Sequence, residues 1–194
     1  MLLKKHLESK KLILGSSSIR RKELLKSLEI PFVIKYKNFD ETYPNKLKKE
    51  EITDFISKKK AKLYLGKLKS NEILLTADTI VWFKKNAIGK PKSIKNCKEI
   101  LLNLSNSTHE VVTSICLTSI KKQIIVNACT KVSFRKLHKN EINNYVKKFK
   151  PLDKAGGYGV QDWIGKVAVK KIEGSYLNVM GLPLHLLYEN LLKF

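Results

Sequence analysis

An apolar run from Lys11 to Leu14 gives way, through Gly15-Ser16-Ser17-Ser18, to a helical pattern over Ile19 to Leu28. Pro31 then opens a second β-type run, Phe32 to Tyr36. Strand, small-residue loop, helix, strand is the most constraining feature of the chain. It commits the N-terminal part to an α/β arrangement and sets a helix start at a strand end. Ile19, Leu24, Leu25 and Leu28 share roughly one face of that helix. Two of the three arginines, Arg20 and Arg21, lie at its start, in a chain where 36 of the 39 basic residues are lysine. Close-packed backbone N–H groups, the positive end of a helix and two guanidinium forks suit a phosphate. A turn capped by Ser18, with solvated arginines, is the plainer alternative.

The remaining chain continues the alternation. Glu50 to Lys67 carries Ile52, Phe55, Ile56, Lys59 and Leu63 at helical spacing, with Gly66 as a stop. Ile73 to Phe83 reads as a buried strand, and Ser93 to Leu104 as a helix capped by Ser93. Glu110 to Ile120 and Ile124 to Phe134 form a hairpin about Lys121-Lys122-Gln123. Lys139 to Phe149 is expected as a helix, Trp163 to Lys171 and Tyr176 to Val179 as short strands, and Leu184 to Phe194 as a terminal helix after Pro183. The pattern predicts an α/β fold with a mixed sheet, in one domain over residues 1–194.

Composition narrows the classes of function. No segment is apolar enough to span a bilayer and the N-terminus lacks a signal-peptide pattern, so no membrane role and a cytoplasmic location are expected. Cys97, Cys116 and Cys129 are widely spaced, and His6, His109, His138 and His185 follow no metal-binding spacing. Any metal is therefore expected to be a hard cation on carboxylates. The net charge of +22 invites a nucleic-acid reading. Its lysines are scattered together with many Asn and Ile, as in AT-rich coding, so no specific nucleic-acid partner is predicted.

Four groups of residues could carry chemistry. Asp78, in Thr76-Ala77-Asp78-Thr79 late in an apolar strand, is a candidate general base or metal ligand, or else a turn aspartate. Asp40-Glu41 could add a second carboxylate for Mg²⁺, or form an exposed acidic loop. Lys60 and Lys90, the latter held between Gly89 and Pro91, could face phosphate as point charges. The run Lys154-Ala155-Gly156-Gly157-Tyr158-Gly159-Val160-Gln161 concentrates three of nine glycines and ends in an amide that can read a base edge.

In order, the chain shows Leu14-Gly15-Ser16, Ser18, Arg20-Arg21, Glu23-Leu24-Leu25, Asp40-Glu41, Lys60-Ala61, Ala77-Asp78-Thr79 and Gly89-Lys90-Pro91. There follow Leu104-Ser105, Thr108-His109, Val111, Thr113, Asp153-Lys154-Ala155-Gly156, Tyr158-Gly159, Gln161, Gly174-Ser175-Tyr176, Val179 and Gly181-Leu182-Pro183. The set, covering about residues 12 to 190, closely resembles the Maf family of nucleotide pyrophosphatases. The resemblance implies a largely antiparallel twisted sheet flanked by helices, with two lobes and a cleft between them. It also implies hydrolysis of a nucleoside triphosphate to the monophosphate and pyrophosphate with Mg²⁺ or Mn²⁺, in a homodimer, and a link to cell-division arrest.

By motif position, Asp78 is the implied proton acceptor, with Glu41, Lys60 and Lys90 as further catalytic residues. Glu41 and Asp78 are the implied metal ligands, and Ser16, Arg20, Arg21, Thr79 and Gln161 the implied substrate-binding residues. Ala77-Asp78-Thr79 with Arg20 and Gln161 resembles the dTTP/UTP branch. The branch acting on 7-methyl-GTP and a non-catalytic division-regulating protein are the alternatives. Ile19 replaces the usual proline, and Asp162-Trp163 replace a small residue after the glutamine.

Overall fold

Why the opening run forms a strand is plain from its burial: Leu12, Ile13 and Leu14 are all out of solvent, so the strand is covered on both faces and need not alternate. The computed structural model describes residues 2–194. A short helix α1 (Leu2–His6) precedes β1 (Lys11–Leu14), α2 (Ile19–Lys26), β2 (Phe32–Ile34), α3 (Glu50–Lys62), β3 (Glu72–Phe83) and β4 (Asn86–Ile88). Then come α4 (Ile94–Leu104), β5 (Thr108–Thr118), β6 (Gln123–Phe134), α5 (Lys139–Phe149), a 3₁₀ turn at Ala155–Gly157, α6 (Trp163–Ala168), β7 (Val169–Glu173), α7 (Tyr176–Met180) and α8 (Leu184–Leu191).

The sheet runs β2-β1-β3-β5-β6-β7, with β4 on β3. A helical crossover through α2 makes β1 parallel to β2, and β1 is also parallel to β3. Tight connections make β3–β4 antiparallel, and β6–β7 is antiparallel as well. The expected hairpin turn is present, with the Ser119 N–H donating to the Lys122 carbonyl at 2.8 Å. The sheet is thus mixed and flanked by helices, as the alternation predicts.

The chain divides into two compact units. The first runs to Asp78 and includes Thr113–Ala128 and Gly181–Phe194; the second is Thr79–Val112 with Cys129–Met180. Strands β3, β5 and β6 each begin in one unit and end in the other. Ile13, Ala61, Tyr64, Leu74 and Cys116 form a core cluster of the first. The second is built on Leu101, Leu104, Phe134, Tyr145, Tyr158 and Ile164, among others. No helix among the described residues is long and apolar enough to cross a membrane.

Of two expected short strands, one is helical over its first part and the other is helical throughout. Trp163–Lys171 divides into α6 and β7, and Tyr176–Val179 lies in α7. The short apolar run at Trp163-Ile164 and Val167 misleads, because Ile164, Gly165 and Ala168 are the residues buried, with Ile164 and Ala168 about one helical turn apart. Gly165 permits the arrangement: a Cβ there would lie 2.0 Å from the Val160 carbonyl oxygen. At α7 the missed signal is a cap, with Ser175 Oγ accepting from the Asn178 N–H at 3.2 Å.

Within the second unit, His109 on β5 is 2% exposed and its titration is shifted by burial to about 4. Between that value and the ordinary 6.5 the unfolded chain binds a proton that the folded chain does not. Stability is therefore lost as pH falls from about 6.5 to about 4, by about 3 kcal/mol from this residue. Urea unfolding at pH 7 and pH 4.5 checks this: His109→Phe should lose less stability on acidification than the wild type, and equal losses would refute it.

Candidate active site

Helix α3 delivers the central lysine. Ile52, Ile56 and Lys60 fall at four-residue spacing on its buried face, so the stripe that packs inward ends in an ammonium group. Hydroxyls fix the helix in place. Thr76 Oγ1 donates to the Ser57 carbonyl at 2.8 Å, while Ser57 Oγ folds back within the helix onto the Thr53 carbonyl at 2.7 Å. Ser114 Oγ donates to Asp54 Oδ1 at 2.6 Å and also meets Thr53 Oγ1 at 2.6 Å. Such buried polar contacts set position along the helix axis, which apolar packing alone leaves loosely defined.

Lys60 then meets Asp78. Its Nζ lies 2.8 Å from Asp78 Oδ1 and 3.0 Å from the Ala77 carbonyl oxygen, with both side chains about one-tenth exposed. Arg21 shares that carbonyl. Its Nη1 donates to the Ala77 oxygen at 3.0 Å and its Nε to the Gly181 oxygen at 2.9 Å. Burial pushes the Asp78 carboxyl above the usual carboxylate range, against the opposing pull of Lys60 and Arg21. Burial likewise lowers the Lys60 ammonium and the Arg21 guanidinium, each opposed by Asp78.

The acidic loop closes on the same lysine. Glu41 Oε1 lies 3.8 Å from Lys60 Nζ, and that Nζ is 5.0 Å from the Phe39 ring centroid. Lys59, the neighbouring residue, holds the other side of the loop through the Thr42 carbonyl at 3.1 Å and Asp40 Oδ2 at 3.6 Å. The Thr42 hydroxyl also bonds Asp40. Glu41 itself is half-exposed.

Ser16 is buried at the end of β1, where its Oγ accepts from the Ser18 N–H at 3.2 Å. Ser18 caps α2, its Oγ accepting from the Arg21 N–H at 3.4 Å. Arg20 is partly exposed, and Ile19 is 77% exposed, so the residue in place of proline projects from the helix start. Arg21, Glu41, Lys60 and Asp78 are thus gathered in the first unit, and Ser16 and Arg20 belong to it too.

Thr79, Lys90 and Gln161 belong to the second unit. Thr79 follows Asp78 directly on β3 and is partly buried. Lys90 is exposed beside a fixed backbone, since the Gly156 N–H donates to the Gly89 carbonyl at 3.0 Å. Gly156 and Gly157 have φ of 71° and 70°, the left-handed region that glycine enters without strain. Gln161 Oε1 is buried without a hydrogen-bond partner among the described residues. Asp162 turns inward, accepting from Tyr145 Oη at 3.2 Å, while Trp163 is 39% exposed. The sequence pattern gives no sign of Phe39, the Ala77 carbonyl or the hydroxyls beneath α3, and it sets Phe55 and Lys59 on the inward stripe, where the structure has Phe55 exposed, Lys59 partly exposed and Lys60 buried.

A buried carboxylate, two cations on one carbonyl and a second carboxylate make a site suited to activating water beside a polyanion. The dTTP/UTP pyrophosphatase of Christiangramia forsetii is 47% identical over 190 residues, covering 98% of this chain and 97% of its own. The protein of the same name from Flavobacterium johnsoniae is 46% identical over 190 residues, covering 98% of each chain. The structure of the Staphylococcus aureus Ham1 protein aligns with 64% of this chain and 72% of its own, at TM-score 0.44 and 16% identity. The family model for Maf-like proteins matches residues 11–194, and this chain belongs to the Maf family.

Proposed function

We propose that this protein hydrolyses dTTP and UTP to the nucleoside monophosphate and pyrophosphate. The observation that carries the reading is the buried Lys60–Asp78 pair: a carboxyl whose affinity for protons is raised by burial, held 2.8 Å from an ammonium that fixes its orientation. The names of the relatives at 46–47% identity support the substrate class.

In this reading water attacks the α-phosphorus, its proton passes to an Asp78 oxygen, and the bond to the bridging oxygen breaks with pyrophosphate leaving. Lys60, Lys90, Arg20 and Ser16 bind phosphate oxygens and offset the charge that develops there. Arg21, committed to the Ala77 and Gly181 carbonyls, holds the strand end that carries Asp78 and adds positive charge beside it. Thr79 and Gln161 read the base. Thymine and uracil offer an N–H between two carbonyls, and a glutamine amide has the complementary donor and acceptor.

A divalent cation fits the donor set. Asp78 and Glu41 are both ion-pair partners of Lys60, at 2.8 and 3.8 Å, and hard carboxylate oxygens are what Mg²⁺ or Mn²⁺ takes alongside substrate phosphates. When bound, such an ion supplies charge neutralisation and lowers the pKa of a bound water. The resemblance adds a cytoplasmic homodimer to the proposal. Exposed Ile34 and Tyr36, at the edge strand β2 and just beyond it, support self-association.

The test is release of pyrophosphate from dTTP, UTP, CTP and 7-methyl-GTP, each with Mg²⁺ or Mn²⁺. The expected result is hydrolysis of dTTP and UTP, with loss of their advantage over CTP in Gln161→Leu. Preference for 7-methyl-GTP overturns the substrate assignment, and no hydrolysis of any nucleotide overturns the activity.

A further inference from the structure

The glycine-rich segment before Gln161 is a poor scaffold by itself. Gly156, Gly157 and Gly159 bring no side chains, and two of them sit in the left-handed region. Its one large side chain before Val160 is Tyr158, 5% exposed, and the ring is wedged between two others. Tyr158 meets Phe134 edge-on at 4.9 Å and His109 at 5.4 Å between centroids, while His109 meets Phe134 at 5.0 Å. Three rings in mutual T-shaped contact satisfy ring packing without any polar atom.

Yet one of the three is an imidazole. His109 Nε2 lies 2.7 Å from Tyr158 Oη, and Nδ1 is buried with no hydrogen-bond partner among the described residues. An apolar ring at this position would avoid that unsatisfied atom, so packing alone does not account for histidine. What the imidazole adds is direction. A single short hydrogen bond from β5 fixes where along its slot the Tyr158 ring stops, and so fixes the backbone that carries it.

Two other contacts hold the turn that follows Tyr158. The Gly159 N–H donates to Tyr145 Oη at 3.3 Å, and the same hydroxyl donates to Asp162 Oδ2 at 3.2 Å, which brackets Gln161 on both sides. The turn is closed by the Asp162 N–H on the Gly159 carbonyl at 3.0 Å. A Cβ at Gly159 would stand 3.0 Å from Gln161 Nε2, so the amide is folded back against this turn.

We propose that His109 is a positioning residue for base recognition: its hydrogen bond to Tyr158 fixes the glycine-rich segment that carries Gln161, the residue assigned to the pyrimidine edge. The proposal rests on the nucleotide-hydrolysing reading and deepens it, giving the selectivity for dTTP and UTP a support outside the phosphate-binding residues.

His109→Phe keeps a ring in the slot, and Tyr158→Phe removes a single oxygen, so the second variant serves should the first fold poorly. Steady-state kinetics on dTTP and CTP, with calorimetric binding of their α,β-methylene analogues, give the readout. Either substitution should raise KM for dTTP about tenfold, more than it lowers kcat, and leave CTP unmoved; the double variant should lose no more than one single. Weakened packing alone would penalise both nucleotides alike. An unchanged dTTP-to-CTP ratio in Tyr158→Phe, or losses that multiply in the double variant, overturns the proposal. Absence of hydrolysis in the wild type would overturn the activity instead, while the ratio of analogue affinities still decides on the His109–Tyr158 pair.

Discussion

Asp78→Asn should lower kcat for dTTP about a thousandfold, the scale of a positioned general base, with a much smaller change in KM. Asparagine keeps an oxygen where Oδ1 now accepts from Lys60 Nζ at 2.8 Å, so the site keeps its shape and loses its proton acceptor. The ammonium left behind still has the Ala77 carbonyl at 3.0 Å and the Phe39 ring at 5.0 Å, which limits the loss of stability. Pyrophosphate release and thermal melting on the same preparation separate the two effects. A variant that melts near the wild type and retains a tenth or more of its kcat would rule out Asp78 as the proton acceptor.

Lys60→Met should be damaging in a different way. The thioether fills the volume of the lysine stem and leaves the Asp78 carboxylate buried, with its nearest cation gone. Removing one member of a buried pair typically costs about 3–5 kcal/mol, because the remaining charge is neither solvated nor paired. Arg21 remains beside Asp78, with its Nη1 and Nε donating to the Ala77 and Gly181 carbonyls. Urea unfolding should therefore show a large loss in Lys60→Met and a smaller one in Lys60→Met/Asp78→Asn, where no stranded carboxylate remains. A double variant whose loss equals the sum of the singles would mean that the pair contributes nothing as a pair.

Much of this arrangement is legible in the chain itself, and the exceptions have physical causes. The parallel start of the sheet follows from Lys11–Leu14, the serine loop and the Ile19 helix, because short-range pattern and tertiary burial agree there. Ser93 caps α4 as its sequence position predicts, its Oγ accepting from the Asn96 N–H at 3.1 Å. Asp78 stands out as a carboxylate in an apolar strand. Lys60 does not stand out among 36 lysines by composition, and the helical stripe read from the sequence sets Lys59 inward in its place, whereas the residue buried one turn beyond Ile56 is Lys60. Illegible were the features that depend on backbone atoms from elsewhere in the chain. Nothing local says that Arg21 turns to the carbonyls of Ala77 and Gly181, or that Gly165 lies against Val160. The short elements α6 and α7 have the pattern of strands because a five- or six-residue apolar pattern fits both periods, and tertiary contact decides between them.

The acceptor that Arg21 and Lys60 have in common is a main-chain oxygen. Every side chain at the site can be exchanged by a single codon change, but that oxygen is present whatever residue occupies position 77. Inheritance can therefore vary the cations while the point they converge on is retained. A lineage, or an engineer, that replaces one of them inherits a waiting acceptor for the newcomer. Selection on this site thus acts on which charges arrive, while the place of their arrival is written in the path of a strand.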